Sequence, residues 1–193
     1  MIKYLLIPAA YVIGSIPFGV LVSRTRGIDL QKAGSRSIGT TNVLRTAGKG
    51  AAVITLLGDS LKGVVAVLLC RVVIGGEIWE GIIGITVILG HMHSTFLSFR
   101  GGKGVATGFG VLSVYSPAHA LILIVIWILT AFFTKYSSLA AMTAFISLPV
   151  VFLLSDVSRI KTSFAILLAF LIILKHRDNI SRLLNGTETK IRF

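Results

Sequence analysis

Apolar residues in this chain come in long runs rather than at alternate positions, and short polar segments rich in glycine and cations separate the runs. Seven apolar windows stand out, at 2–22, 51–74, 81–99, 105–115, 118–133, 139–154 and 163–174. A bilayer core about 30 Å thick needs roughly 20 helical residues per crossing. The pattern therefore predicts an all-α integral membrane protein with seven transmembrane helices. Windows 105–115 and 163–174 are too short to cross alone, so each must draw on flanking residues, begin in a polar cavity or meet a thinned bilayer. Met1, Lys3 and the apolar residues after them imitate a signal peptide, but six more runs follow and no A-x-A site stands near Gly14 and Ser15, so 2–22 reads as the first span.

Composition agrees with the pattern. Of 193 residues, 54% are hydrophobic and 13% charged, which leaves no sizeable extramembrane domain, and the chain reads as one transmembrane domain over 1–193. Chemistry must then lie in short loops and helix ends. The net charge of +12 would suggest nucleic acid in a water-soluble protein. Here it reads as loop charge with an attraction for anionic lipids or phosphorylated substrates, and no nucleic-acid partner is expected. One set of alternate connections carries most of the cations: Arg24, Arg26, Lys32, Arg36, Arg45 and Lys49, then Arg100 and Lys103, then Lys135, then Lys175, Arg177, Arg182, Lys190 and Arg192. The other set and its span ends hold Lys3, Arg71, Arg159 and Lys161. The positive-inside rule then puts the N-terminus outside and the C-terminus in the cytoplasm. The single Cys70, inside an apolar run, excludes an intrachain disulfide and a cysteine metal cluster.

Three cytoplasmic segments carry candidate chemistry. In the first, Gly34, Ser35, Ser37, Gly39, Thr41 and Asn42 run into a helix-periodic stretch, with Thr41 or Asn42 as the expected N-cap. Glycine backbone, hydroxyls, a helix N-terminus and Arg45 one turn later make an anion cradle; the alternative is a polar connector with a capped helix. It is not a Walker loop, because Thr40 stands where lysine is required. The second packs Gly101, Gly102, Lys103 and Gly104 between spans, as an anion nest or a flexible turn. His91 and His93 just before it face different sides of a helix, so they make no metal site as a pair. The third holds His176 and Asn179 on one helix face, or serves topology alone. Asp59 and Lys62, three apart inside a span, are expected to neutralise each other and border the site.

Together the segments resemble the acyl-phosphate-dependent glycerol-3-phosphate acyltransferases of bacteria, the PlsY type. The pattern G-S-x-N-x-G-(A/S)-T-N-x-x-R is matched by Gly34, Ser35, Gly39, Thr41, Asn42 and Arg45, with Ser37 in place of the usual asparagine and Thr40 in place of alanine or serine. G-H…F-x-x-F-(K/R)-G-G-K-G-V-A-T is matched by Gly90, His91, Phe96 and 99–107, with Ser94 or Thr95 near a common proline. H-R-x-N-I-x-R-L-x-x-G-x-E is matched by His176, Arg177, Asn179, Ile180, Arg182, Leu183, Gly186 and Glu188. The resemblance implies acyl transfer from acyl phosphate to the sn-1 hydroxyl of glycerol 3-phosphate, the first step of phospholipid synthesis. It places the enzyme in the bacterial inner membrane, multi-pass, with a cytoplasmic site, no cofactor and no metal. Expected partners are both substrates, membrane lipids and the enzyme that makes acyl phosphate.

By the same resemblance Gly34, Ser35, Ser37, Gly39, Thr41 and Asn42 hold acyl phosphate. Arg45, Gly101, Gly102, Lys103, Gly104, Ser138, His176 and Asn179 hold glycerol 3-phosphate, with Ser35, Arg45, Lys103, His176 and Asn179 as catalytic residues. Ser138 has a helix cap as its alternative role. Glu188 braces the basic site through an arginine or lysine, and Asp59 and Lys62 support it. The leaving phosphate or His176 takes the hydroxyl proton. The H-x4-D and G-x-S-x-G patterns of other acyl-transfer enzymes are absent from the sequence. A phosphate or phosphoester transporter is the rival class.

Overall fold

The computed structural model describes residues 2–155 and 157–191; Arg192, counted above among the cytoplasmic cations, lies outside them. Among the described residues there are nine α-helices, and two compact units, one up to Tyr115 and one from Ser116. In the first unit, α1 (Ile2–Ser15) and α2 (Phe18–Arg24) together make the expected first span. They are separated at Pro17, whose missing N–H cannot continue the helical ladder. Next, α3 (Thr40–Val73) starts eleven residues before the predicted apolar window. It bends at Gly48, whose φ of 84° only glycine adopts cheaply. Arg26 Nη1 donates to the Ala47 carbonyl at 2.5 Å beside this bend. The 49–73 piece rises about 37 Å, enough for the bilayer core.

A short outer turn leads to α4 (Glu77–Met92), followed by one 3₁₀ turn at Thr95–Leu97 and by α5 (Val105–Tyr115). Contact registers give the directions. Tyr4 meets Trp79 and Tyr11 Oη donates to His93 O, so α1 and α4 run parallel. Arg71 pairs with Glu80 and Lys62 with His91, so α3 and α4 run antiparallel. Across α3 and α5, Ser60 lies against Gly110 and Arg71 donates to Val114 O, so these run parallel. The connections 25–39 and 93–104 therefore emerge at the same end of this unit. Leu97 of the second packs on Val20, Leu30, Ile38 and Val43 around the first.

Lipid offers little hydrophobic drive for helix association, so close backbone approach matters more. A Cβ on Gly63 would strike the Thr107 carbonyl, and one on Gly110 the Ser60 carbonyl; Gly14 and Gly90 do the same for α1 and α4 against Val87 and Tyr11. Large apolar side chains such as Val53, Leu57, Leu61 and Leu68 stay exposed along α3, as a lipid-facing stripe requires.

The second unit contains α6 (Pro117–Thr134), α7 (Ser137–Leu154), α8 (Arg159–Lys175) and α9 (Arg177–Leu184). Phe145, Leu148, Phe152, Leu168 and Ile172 form its buried core. The helix over the seventh window is longer than the apolar run: α8 takes in Arg159 and Lys161, because Ser158 caps it by accepting from Lys161 N at 3.2 Å. α5 keeps its predicted 11 residues. The segments 3–24, Thr40–Val73, Pro117–Thr134 and Ser137–Leu154 are long and apolar enough to cross a membrane, and α4, α5 and α8 are shorter. The tail returns to its own unit, with Ile191 N donating to Lys135 O at 2.7 Å and Lys190 lying over the Tyr136 ring.

Candidate active site

At the 25–39 end of the first unit, the loop from Ala33 is organised by one side chain. Asn42 Oδ1 accepts from Ser35 N at 2.9 Å, while its Nδ2 donates to Ala33 O at 3.1 Å and Ser37 O at 2.8 Å. Gly34 and Arg36 hold positive φ of 58° and 59°, and a Cβ on Gly34 would collide with the Asn42 amide. Contrary to the expectation from sequence, neither Thr41 nor Asn42 caps α3. Gly39 takes that place in extended backbone without a side-chain cap, because the Asn42 amide is already engaged by the loop. Ser37 Oγ accepts from Gly39 N at 3.4 Å. Thr40 Oγ1 is buried without a partner among the described residues, in the first turn of α3. Ser35 and Arg45 are exposed around this start. The arrangement is a preformed loop beside a helix N-terminus, with a guanidinium one turn along.

The glycine turn differs from expectation. A nest needs convergent backbone N–H groups, yet Gly101 N donates to Met92 O at 3.1 Å and Gly102 N to His91 O at 3.0 Å. Their N–H groups are therefore engaged by the end of α4. What demands glycine is closeness: a Cβ on Gly101 would strike the His91 carbonyl, and one on Gly102 the His91 ring. Gly104 does need its freedom, with φ of 81° as the chain enters α5. Lys103 is half-buried between these points, one residue before that helix.

Beneath the turn lie Asp59 and Lys62, both buried. Lys62 Nζ reaches Asp59 Oδ1 at 2.8 Å, Ile16 O at 3.0 Å and His91 Nδ1 at 2.7 Å. The expected i, i+3 pair is present, and it has a third member, His91, to which the sequence pattern assigned no partner. His93, as expected, points elsewhere and is exposed.

In the second unit the tail completes a polar cluster. Gly186, at φ 68°, lets the chain turn back after α9, so that Thr187 N and Glu188 N both donate to Arg182 O. Glu188 Oε1 then accepts from Ser138 Oγ and Asn179 Nδ2, each at 2.7 Å, and Oε2 from Arg182 Nε at 2.6 Å. Burial pushes the Glu188 carboxyl up. The hydrogen bonds from Ser138, Arg182 and Asn179 and the Arg182 charge outweigh this and hold it below its ordinary value. Ser138 does not cap α7, whose N-cap is Tyr136. Arg182 was not among the expected site residues; Gly186 just past a helix end, with an acid two residues later, was the available signal. Asn179 Oδ1 is buried with no partner among the described residues. His176 is 2% exposed, and its Nδ1 lies 2.7 Å from Ile172 O. A carbonyl can only accept, so Nδ1 carries a proton and donates to it.

A family model described as "Glycerol-3-phosphate acyltransferase" matches residues 4–186. The chain belongs to this acyltransferase family. A relative of that name from Rubrobacter xylanophilus is 43% identical over 98% of this chain and 96% of its own length. Another from Mesorhizobium japonicum is 46% identical over 94% of this chain and 92% of its own. Among solved structures, PlsY (YgiH), an integral membrane glycerol 3-phosphate acyltransferase, matches in its glycerol 3-phosphate form with TM-score 0.94. The identity is 36%, covering 100% of this chain and 96% of that one. Its lysophosphatidic acid form matches with TM-score 0.92. Like other members with these apolar helices, the chain is a multi-pass membrane protein.

Proposed function

We propose that this acyltransferase moves a fatty acyl group from acyl phosphate to the sn-1 hydroxyl of glycerol 3-phosphate, releasing lysophosphatidic acid and phosphate. The observation that carries the reading is the full-length likeness to a structure holding glycerol 3-phosphate and to one holding lysophosphatidic acid, an acceptor and an acylated product. Acyl phosphate as donor is supported by the loop beside the α3 N-terminus, which suits a phosphate leaving group. Gly34, Ser35, Ser37, Gly39 and Thr41 line that loop in this reading, and Asn42 holds its shape. Arg45, Lys103, His176 and Asn179 bind glycerol 3-phosphate, while Glu188 keeps Ser138, Asn179 and Arg182 in place. The acceptor oxygen attacks the acyl carbon and the C–O bond to phosphate breaks. The hydroxyl proton passes to the departing phosphate or to His176. An acyl phosphate is already activated, so positioning and charge stabilisation supply most of the acceleration.

The proposal extends to seven spans, with the N-terminus outside and the site at the cytoplasmic face of a bacterial inner membrane. The alternating directions of α1, α3, α4 and α5 and the cation-rich connections support it. Residues 1–193 act as one functional domain, served by the enzyme that makes acyl phosphate. The test is purified protein in detergent with acyl phosphate and labelled glycerol 3-phosphate. Labelled lysophosphatidic acid formed without a sealed compartment supports the reading; uptake into vesicles without product would support a transporter instead.

A further inference from the structure

Gly102 is gripped twice by one residue. Its N–H donates to the His91 carbonyl at 3.0 Å, and its α-carbon lies so close to the His91 ring that an added Cβ would meet Nε2. The other ring nitrogen, Nδ1, stands 2.7 Å from Lys62 Nζ and 3.5 Å from Asp59 Oδ1. A lysine ammonium carries three protons and no acceptor. Those of Lys62 are directed to Asp59 Oδ1, to His91 Nδ1 and to Ile16 O, a carbonyl beside the break that Pro17 makes in the first span. With Nδ1 as an acceptor, the ring proton belongs on Nε2, the edge that faces Gly102. Three side chains from α3 and α4 thus fix the height and tilt of a turn whose next residue is Lys103.

We propose that Asp59, Lys62 and His91 form a buried strut in which His91, held as its Nε2–H tautomer, is a positioning residue for the Lys103 turn and thereby sets affinity for the phosphate of glycerol 3-phosphate. The inference rests on the acyltransferase reading above. It accounts for an ion pair inside a span, where charged groups are costly and rarely lack a role. It also explains why the turn tolerates no side chain at 102, without requiring the N–H of Gly102 to touch an anion.

The test uses full-length protein in detergent and a double-mutant cycle. His91→Asn keeps an amide acceptor near the Nδ1 position, so Lys62 stays satisfied, but removes the ring edge on which Gly102 rests. Gly102→Ala pushes a methyl into that edge. Each single variant is expected to raise KM for glycerol 3-phosphate about tenfold, with kcat and the acyl-phosphate KM within about threefold of the parent. The double variant should be no worse than the worse single, because removing the ring makes room for the methyl. Additive KM increases in the double variant, or a fall in kcat alone, would overturn the strut. A parent protein that makes no lysophosphatidic acid would instead sink the functional reading. A second measurement is independent of activity: in protein carrying ¹⁵N-labelled imidazoles, one of only four histidines, assigned by its loss in His91→Asn, should show bare Nδ1 and protonated Nε2. A protonated Nδ1 at the signal so assigned would refute the proposed tautomer, whatever the kinetics.

Discussion

Replacing Glu188 by alanine isolates one set of contacts. The carboxylate is 7% exposed and accepts from Ser138, Asn179 and Arg182. Hydrogen bonds to a charged group contribute about 1.5–3 kcal/mol each, and Ser138 and Asn179 are both buried. Arg182 is 37% exposed, so solvent screening keeps its share below about 1 kcal/mol. The lower ends of these ranges sum to about 3 kcal/mol of tail docking, which corresponds to about a hundredfold rise in the undocked population. Backbone bonds from Thr187 N and Glu188 N to Arg182 O and from Ile191 N to Lys135 O remain, as does Lys190 over Tyr136. Trypsin reports the opening through cleavage after Lys190, in the tail beyond α9. When the tail recloses faster than it is cut, the cleavage rate follows the open population. The expected result is therefore about a hundredfold faster tail cleavage in Glu188→Ala, with unchanged melting of the remaining helices. Glu188→Gln should fall between, since an amide oxygen still accepts one bond. A tail cleaved within threefold of the parent rate would show that the carboxylate does not hold it.

The same carboxyl makes docking sensitive to pH. Its folded value lies below the ordinary one, so its contribution is present above about pH 4.3 and is lost as pH falls through the depressed value; pepsin cleavage of the tail should accelerate over that acid window. Arg45→Lys keeps the charge but loses the two-pronged guanidinium, so KM for glycerol 3-phosphate should rise about tenfold or more, and Arg45→Ala should leave little activity. Parent-like kinetics in a folded Arg45→Ala protein would remove Arg45 from the site. EDTA should leave turnover unchanged; loss of activity restored by added magnesium would overturn the metal-free reading. Gly63→Leu should break the α3–α5 approach by forcing a side chain against the Thr107 carbonyl, with a lowered melting temperature in detergent as the readout.

Runs of apolar residues declared the helices because a bilayer solvates neither bare backbone nor unpaired charge, and that constraint acts locally on every segment. The windows at 105–115 and 139–154 could be read from sequence within two residues, as could the Asp59 and Lys62 pair, whose spacing alone puts both on one helix face. The motif residues from Gly34 to Arg45, at Lys103 and from His176 to Glu188 were also legible. What could not be read was which polar atoms face a ligand and which hold the frame. Asn42 and the N–H groups of Gly101 and Gly102 have the composition of an anion site, yet they are engaged by neighbouring loops and by the end of α4. Hydrogen-bond partners far apart in the chain depend on where helices cross, and helix crossing in turn depends on a few close contacts such as Gly63 on Thr107. For the same reason the third member of the buried strut, His91, emerged only from the tertiary structure. Its ring meets Lys62 across 29 positions of sequence, a separation that no local periodicity encodes.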